Sequence, residues 1–311
     1  MSVLGSVKPA PGPLVQAQAL ARDIKLAHSV FALPFAILGA FMAARPPAGT
    51  IDWPQFGRQL LLIVLAMVFA RTAAMLANRV VDRHLDRANP RTARRALPAG
   101  LATTRAAIVG IVVASALFLG VCAAFFLLDG NWWPLALGLP VLAWICAYGL
   151  LKRRTLLCHL YLGSSLAISP VAAAVAIEPS QIGQLSIWLL AGMVLCWVAG
   201  FDVIYALQDV DVDRQQGLHS MPSRLGVRKA MVASRCLHVL AATSLWVIAL
   251  TDPRSGVLLV VAAALVTALL LVEHLTVARW GTTRIALTFF TLNGLVSCVV
   301  GVLGSLDIAL W

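Results

Sequence analysis

Acidic side chains are scarce in this sequence. Only 13 Asp and Glu occur among 311 residues, against 24 Lys and Arg, and charged residues of both signs make up 12% of the chain. That small charged fraction, beside 60% hydrophobic residues and a mean hydropathy of +0.89, excludes a soluble globular protein, because one core could not enclose so much apolar side chain. Cysteine is present without its usual patterns. Cys122, Cys146, Cys158, Cys196, Cys236 and Cys298 lie in or beside apolar runs with no CxxC pair, which argues against a disulfide framework or a zinc site. His28, His84, His159, His219, His238 and His274 show no metal-ligand spacing; His159, just after a basic run, is the one best placed for a role. The first 23 residues hold Pro9, Pro11, Pro13 and Asp23 and no unbroken apolar core, so a cleaved signal peptide is not expected. No linker long enough to separate a soluble domain is visible.

What is abundant is apolar length. At about 20 residues per span, nine segments are expected, near 26–44, 60–78, 106–128, 133–151, 156–177, 186–206, 230–250, 256–277 and 285–306. The expected fold is therefore all-α and polytopic. Residues 14–25 mix Leu14, Val15, Leu20 and Ile24 with Gln16, Gln18, Arg22, Asp23 and Lys25, a pattern suited to an interfacial helix. Residues 1–25 are read as an amino-terminal segment and 26–311 as one membrane domain.

Positive charge is sorted by side. Apart from Arg45, Arg58 and Arg254 opposite, and Arg71 inside the second span, the Lys and Arg residues fall in the amino-terminal segment or in and beside the loops after spans two, four, six and eight. This positive-inside pattern puts those loops and the amino terminus in the cytoplasm, in a bacterial inner membrane. It accounts for the +11 net charge through anionic headgroups and substrates, without nucleic acid. Two of the loops are long, about 79–105 and 207–229. They lie four spans apart, so two four-helix halves of like orientation plus a ninth helix are expected, with the long loops as cytoplasmic caps. No obligatory protein partner is evident.

Six of the 13 acids cluster at the ends of two spans. Asn78, Asp82 and Asp86 follow one another at steps of four, which a helix keeps on one face. Asp209 and Asp213 repeat the spacing, with Asp202 seven residues earlier and Asp211 expected to turn away. Like charges four apart repel by a few tenths of a kcal/mol, and an ionised Asp at mid-bilayer costs about 2.5–3.5 kcal/mol on insertion scales. A divalent cation offsets both terms. Oxygen ligands without Cys or a His pair favour magnesium, which binds through one or two carboxylates plus substrate phosphates. The plainer reading, in which these acids cap helices and pair with Arg79, Arg83, Arg87 and Arg214 in water, gives no reason for the spacing to occur twice.

Arg71 precedes Asn78 by two turns within the membrane, where arginine is costly; holding a substrate carboxylate and neutralising the acids are both open to it. Tyr148 and Lys152 are four apart and lead into Arg153 and Arg154. Lys152 could stabilise a departing diphosphate, or the run could serve topology alone. The loops from Asn89 to Arg95 and from Ser220 to Arg224 are candidates to cover the site.

These residues resemble the UbiA superfamily of membrane prenyltransferases. The likeness is carried by NRVVDRHLD (78–86) followed by NPRTARRALPAG (89–100), and by YALQDVDVD (205–213) followed by RQQGLHS (214–220). The chain departs from the family pattern at Arg79, where many relatives place Asp, and in spacing Asp211 two residues from Asp213. FALPFAILGA (31–40), Arg71, the Tyr148 to Arg153 run and FDVIYALQD (201–209) most resemble the 4-hydroxybenzoate polyprenyltransferases. The resemblance implies transfer of a polyprenyl group from its diphosphate to an aromatic acid in ubiquinone biosynthesis, or in the related menaquinone pathway. It implies Mg2+ held by Asn78, Asp82, Asp86, Asp209 and Asp213, with Asp82, Asp209 and Lys152 as catalytic residues. Arg71, Tyr148, Lys152, Arg153, Arg91, Asp202 and Tyr205 are then the candidate substrate contacts, and Asp202 a candidate proton acceptor. A cation-coupled transporter is the main rival, since intramembrane carboxylates also mark ion paths, but acids at span ends fit a surface-loaded diphosphate better than a midplane substrate.

Overall fold

The computed structural model describes residues 12–24, 31–45, 50–285 and 287–310, with 287–289 as backbone only. Residues 26–30 of the first expected span, residue 286 of the ninth, and residues 1–11 and 25 of the amino-terminal segment lie outside the described residues.

Local chemistry sets the helix ends. The first helices are α1 (Pro13–Ile24), α2 (Leu33–Ala44) and α3 (Trp53–Ala88). The Asp52 side chain caps α3 by accepting from the Gln55 amide at 3.3 Å, and Pro54 occupies the first turn, where no donor is needed. At its other end Asn89 is extended, as the following Pro90 requires. Next come α4 (Thr104–Asp129), α5 (Trp133–Cys146) and the short α6 (Tyr148–Leu151). Thr103 caps α4, whose other end is closed by Gly130 in the left-handed region. The chain continues through α7 (Cys158–Ile177), α8 (Leu185–Tyr205), α9 (Val210–Gln215), α10 (Met221–Leu225), α11 (Val227–Thr251), α12 (Val257–Trp280) and α13 (Asn293–Leu310). The described residues contain no strand.

Eight helices among the described residues are long and apolar enough to cross a membrane, so the chain is a multi-pass integral membrane protein. Nine were expected. The described part of the first is α2, whose 12 residues extend roughly 18 Å, against a hydrocarbon core of about 30 Å. Two expected spans are also less regular than their patterns suggested: 133–151 is divided between α5 and α6, and α13 is preceded by a π-helical turn, Leu287–Leu292. α3 runs the other way in length. Its 36 residues extend about 54 Å at 1.5 Å per residue, so its last turns project beyond the apolar layer. Asp82 and Asp86 sit on that overhang and avoid the mid-bilayer cost.

α8 is the most enclosed long helix and packs between α7 and α11. α2 packs on α7 and on α13, and α13 packs on α12, so the last helix closes the bundle against the first apolar one. α3, α4 and α5 pack together beside α2 and α7. Phe31, Phe35, Trp197 and Phe201 form the aromatic centre of the core, while Leu127, Leu139, Leu271 and Leu275 face outward, as expected of a surface solvated by lipid.

At the end away from the acidic motifs, Arg254 is buried and bonds Asp252 at 2.6 and 2.9 Å, Ser186 at 3.0 Å and the carbonyl of Met42. One side chain thus ties the ends of α2, α8 and α11. Burial alone would raise the Asp252 pKa, but hydrogen bonds from Arg254 and Ser186 outweigh it and hold the carboxyl below its usual value.

Two outcomes follow from this packing. A Cβ on Gly301 would lie 2.2 Å from Pro34 Cβ and 2.8 Å from Pro34 Cα, so Gly301→Ala is expected to destabilise by about 1–3 kcal/mol in thermal unfolding in detergent. Gly120→Ala, with nothing within 4 Å of the new methyl, leaves stability unchanged or slightly higher. Because the Asp252 pKa is lowered on folding, its pairing stabilises fully above the ordinary carboxylate range and fades as pH falls through it. The melting temperature of Arg254→Met should therefore lie well below wild type at pH 7, and the gap should narrow on acidification.

Candidate active site

The first motif is helical as its spacing predicts, and the long overhang of α3 presents Asn78, Asp82 and Asp86 in sequence. The second is not a continuous α-helix. α8 ends at Tyr205, a 3-10 turn covers Ala206–Asp209, and α9 begins at Val210, so the step of four from Asp209 to Asp213 crosses a change of helix type. At this break the Asp209 side chain bonds across to the loop that follows the first motif.

That bond is one of several joining the two motifs. Arg91 grips Asp209 with both ends of its guanidinium, at 2.6 and 3.1 Å, and Asn89 donates to the same carboxylate at 3.2 Å. Arg91 also donates to the Tyr205 hydroxyl at 3.2 Å and lies 5.5 Å from the centre of that ring. Burial disfavours the Arg91 charge, but the bond to Asp209 more than offsets this and raises its pKa. Gln216 reaches back to the carbonyl of Leu85 at 3.3 Å. The loop following the first motif is thus folded onto the second. α1 supports that loop: Gln16 accepts from the Thr103 amide and hydroxyl, and Asp23 from the Ala96 amide at 2.7 Å.

Apart from Asp211, each carboxylate of the two clusters bonds a side chain outside its own helix. Asp82, with a side chain only 2% exposed, takes Lys152 at 2.5 Å and Arg153 at 3.2 Å. Asp86 accepts both bonds of Arg95, at 2.8 and 2.9 Å. Asp213 accepts from the Ser220 hydroxyl at 2.5 Å. Asp202 bonds His159 at 2.7 Å. Asp211 is exposed. Tyr148, half-buried, opens α6 immediately before the Lys152 turn. Gly149 lies so close to α3 that a Cβ there would meet Asn78 Oδ1 at 2.8 Å. Arg71 donates to the Ile24 carbonyl at 3.4 Å, at the end of α1.

The contacts thus form two sets at the same end of the bundle, Asp82 with Lys152 and Arg153, and Asp209 with Arg91 and Asn89, Arg91 also meeting Tyr205. Sequence reasoning singled out the two covering loops but gave no individual role to Asn89, Arg95 or Ser220, whose partners lie on other elements. For His159 the signal was its place beside the basic run.

Among the described residues no three acidic, histidine or cysteine side chains converge as a ready-made cation cage. A hard cation that draws part of its shell from phosphate oxygens needs only one or two carboxylates from the protein. Asn78 Oδ1 is buried beside this cluster without a hydrogen-bond partner, an oxygen free for such an ion. The donor set fits magnesium bound together with a phosphorylated ligand.

The sequence profile of the UbiA prenyltransferase family matches residues 32–295. The chain belongs to that family. Among curated UbiA relatives, the 4-hydroxybenzoate octaprenyltransferase of Polaromonas sp. is 31% identical over 199 residues, 64% of this chain and 66% of the relative. The enzyme of the same name from Yersinia pseudotuberculosis is 32% identical over 173 residues, 56% of this chain and 58% of the relative. The aligned stretch is thus less than two thirds of the length of each relative. Among solved structures, the apo UbiA homolog of Aeropyrum pernix is 30% identical, with a TM-score of 0.77 over 90% of this chain and 97% of that one. A UbiA homolog from Archaeoglobus fulgidus, solved with GPP and Mg2+, shares the fold at a TM-score of 0.70 and 17% identity, covering 94% of this chain and 100% of that one.

Proposed function

We propose that this protein transfers a polyprenyl group from its diphosphate to an aromatic acid, 4-hydroxybenzoate first, in quinone biosynthesis. The observation that carries the reading is the convergence of two acidic motifs with Lys152, Arg153 and Arg91 at one end of the bundle. A transporter has no need of an anion-binding set there, whereas a diphosphate needs both a cation and basic side chains. The names of the curated relatives and the GPP and Mg2+ bound by the Archaeoglobus protein support the same chemistry. A dihydroxynaphthoate is the alternative acceptor. The basic loops are assigned to the cytoplasmic side of a bacterial inner membrane by the distribution of Lys and Arg.

In this reading Asp82, Asp86, Asp209 and Asp213, with Asn78, hold magnesium. When bound, the ion shields the diphosphate and stabilises it as a leaving group. Lys152 and Arg153 reach Asp82 through single side-chain contacts and can turn from it to the diphosphate oxygens, as Arg91 can from Asp209. The allylic C–O bond breaks with its electron pair going to the diphosphate, whose charge these cations receive. Tyr148 and Tyr205 flank the basic groups and help enclose the substrate. The aromatic ring, with its carboxylate assigned to Arg71, attacks the allylic cation from a carbon beside the phenol. The displaced ring proton passes to Asp202, and closely packed helices keep water from the cation.

Purified protein in detergent, supplied with a prenyl diphosphate and 4-hydroxybenzoate, should form the prenylated acid only when magnesium is present. Asp82→Ala and Asp209→Ala should each lower turnover by about 10²–10³-fold. Equal turnover in chelator, or wild-type rates in both variants, would exclude this assignment.

A further inference from the structure

We infer that His159 is the positioning residue for the acceptor, holding the Asp202 carboxyl in one orientation. The inference rests on the prenyl-transfer reading above and adds a residue to it. His159 stands at the start of α7 with its side chain 3% exposed, and both ring nitrogens are engaged. The backbone amide of Met221 donates to Nε2 at 3.1 Å. A main-chain N–H has no lone pair to offer, so Nε2 must be bare, and a doubly protonated ring would set two hydrogens against each other. The proton therefore resides on Nδ1, which donates to Asp202 Oδ2 at 2.7 Å. Because a backbone amide cannot reverse its role, the tautomer is locked, and a ring flip would present carbon to both partners.

This sets Asp202 apart from the other acids. Asp82, Asp86 and Asp209 are each neutralised by Lys or Arg, whereas the contact to Asp202 comes from a neutral imidazole. Asp202 therefore has no Lys or Arg among its bonded partners here, and its side chain retains 13% exposure, so an oxygen held in place by the imidazole is open to an acceptor that brings a hydroxyl. The same imidazole secures the covering loop. Its neighbours in that loop hold the diphosphate side: the His219 amide donates to the Lys152 carbonyl at 2.8 Å, and the Ser220 hydroxyl to Asp213 at 2.5 Å. These two bonds do not involve His159, so the donor side stays anchored when the ring is removed.

The test is a kinetic comparison of wild type with His159→Leu and His159→Gln. Leucine removes both bonds and should raise the acceptor KM by about tenfold or more while the prenyl diphosphate KM moves by less than about twofold. Glutamine offers one N–H and one carbonyl and should restore most of the loss. A second readout needs no variant: 15N spectra of histidine-labelled wild type should show a ring protonated at Nδ1 and bare at Nε2, changing when Asp202→Asn is introduced. An acceptor KM unmoved in His159→Leu, a parallel rise in both KM values, or a ring protonated at Nε2 overturns the proposal. Should His159→Leu fail to fold, the glutamine variant and the spectrum still decide it. A wild type that prenylates no aromatic acid overturns the broader reading and this one together, an outcome distinct from intact transfer with an unmoved acceptor KM.

Discussion

Carboxylates crowded at one end of a helix bundle repel one another, and the local architecture follows from how that repulsion is offset. Asp82 is nearly sealed from water, a position that would be prohibitive for an isolated anion. Lys152 and Arg153 arrive from the turn between α6 and α7 to neutralise it. Asp86 and Asp209 draw Arg95 and Arg91 from a single loop, so the need for counter-ions is also what folds that loop over the site. Removing the acids would leave the loop cations with nothing to hold; removing the cations would leave charge buried without a partner. The two sets are mutually required before any substrate arrives.

Such pairing also makes the site ready to exchange partners. In the proposed reaction, a guanidinium or ammonium that balances a carboxylate in the resting protein would be suited to balance a diphosphate once a metal took over the carboxylate. The charge count at the site would then change little on loading, because a dication and a polyanion would enter together.

Much of this was legible in the sequence, and for identifiable reasons. Apolar length and the sorting of Lys and Arg gave a polytopic helical fold, because the bilayer imposes both. The step-of-four spacing identified Asn78, Asp82 and Asp86, since α3 continues unbroken through them. In the second motif the same spacing crosses a 3-10 turn at Ala206–Asp209, where Asp209 is bonded by Arg91 and Asn89, a change of helix type that the spacing alone does not reveal. Pairings such as Arg95 with Asp86, or His159 with Asp202, join residues distant in space from their sequence neighbours, and no periodicity encodes them. For Arg71 the sequence left two roles open, a substrate carboxylate or the acids, and its bond to the Ile24 carbonyl, 47 residues away in the chain, is one that no spacing encodes.

The closure of α13 onto α2, glycine against proline at Gly301 and Pro34, carries a consequence for how the protein is made. Seven long helices separate the two contacting ones along the chain, so α2 waits in the bilayer without this neighbour until synthesis has passed through all of them. During that interval the flank of α2 must be chaperoned by lipid or by the insertion machinery, and the contact between the two helices can form only once α13 has entered the bilayer.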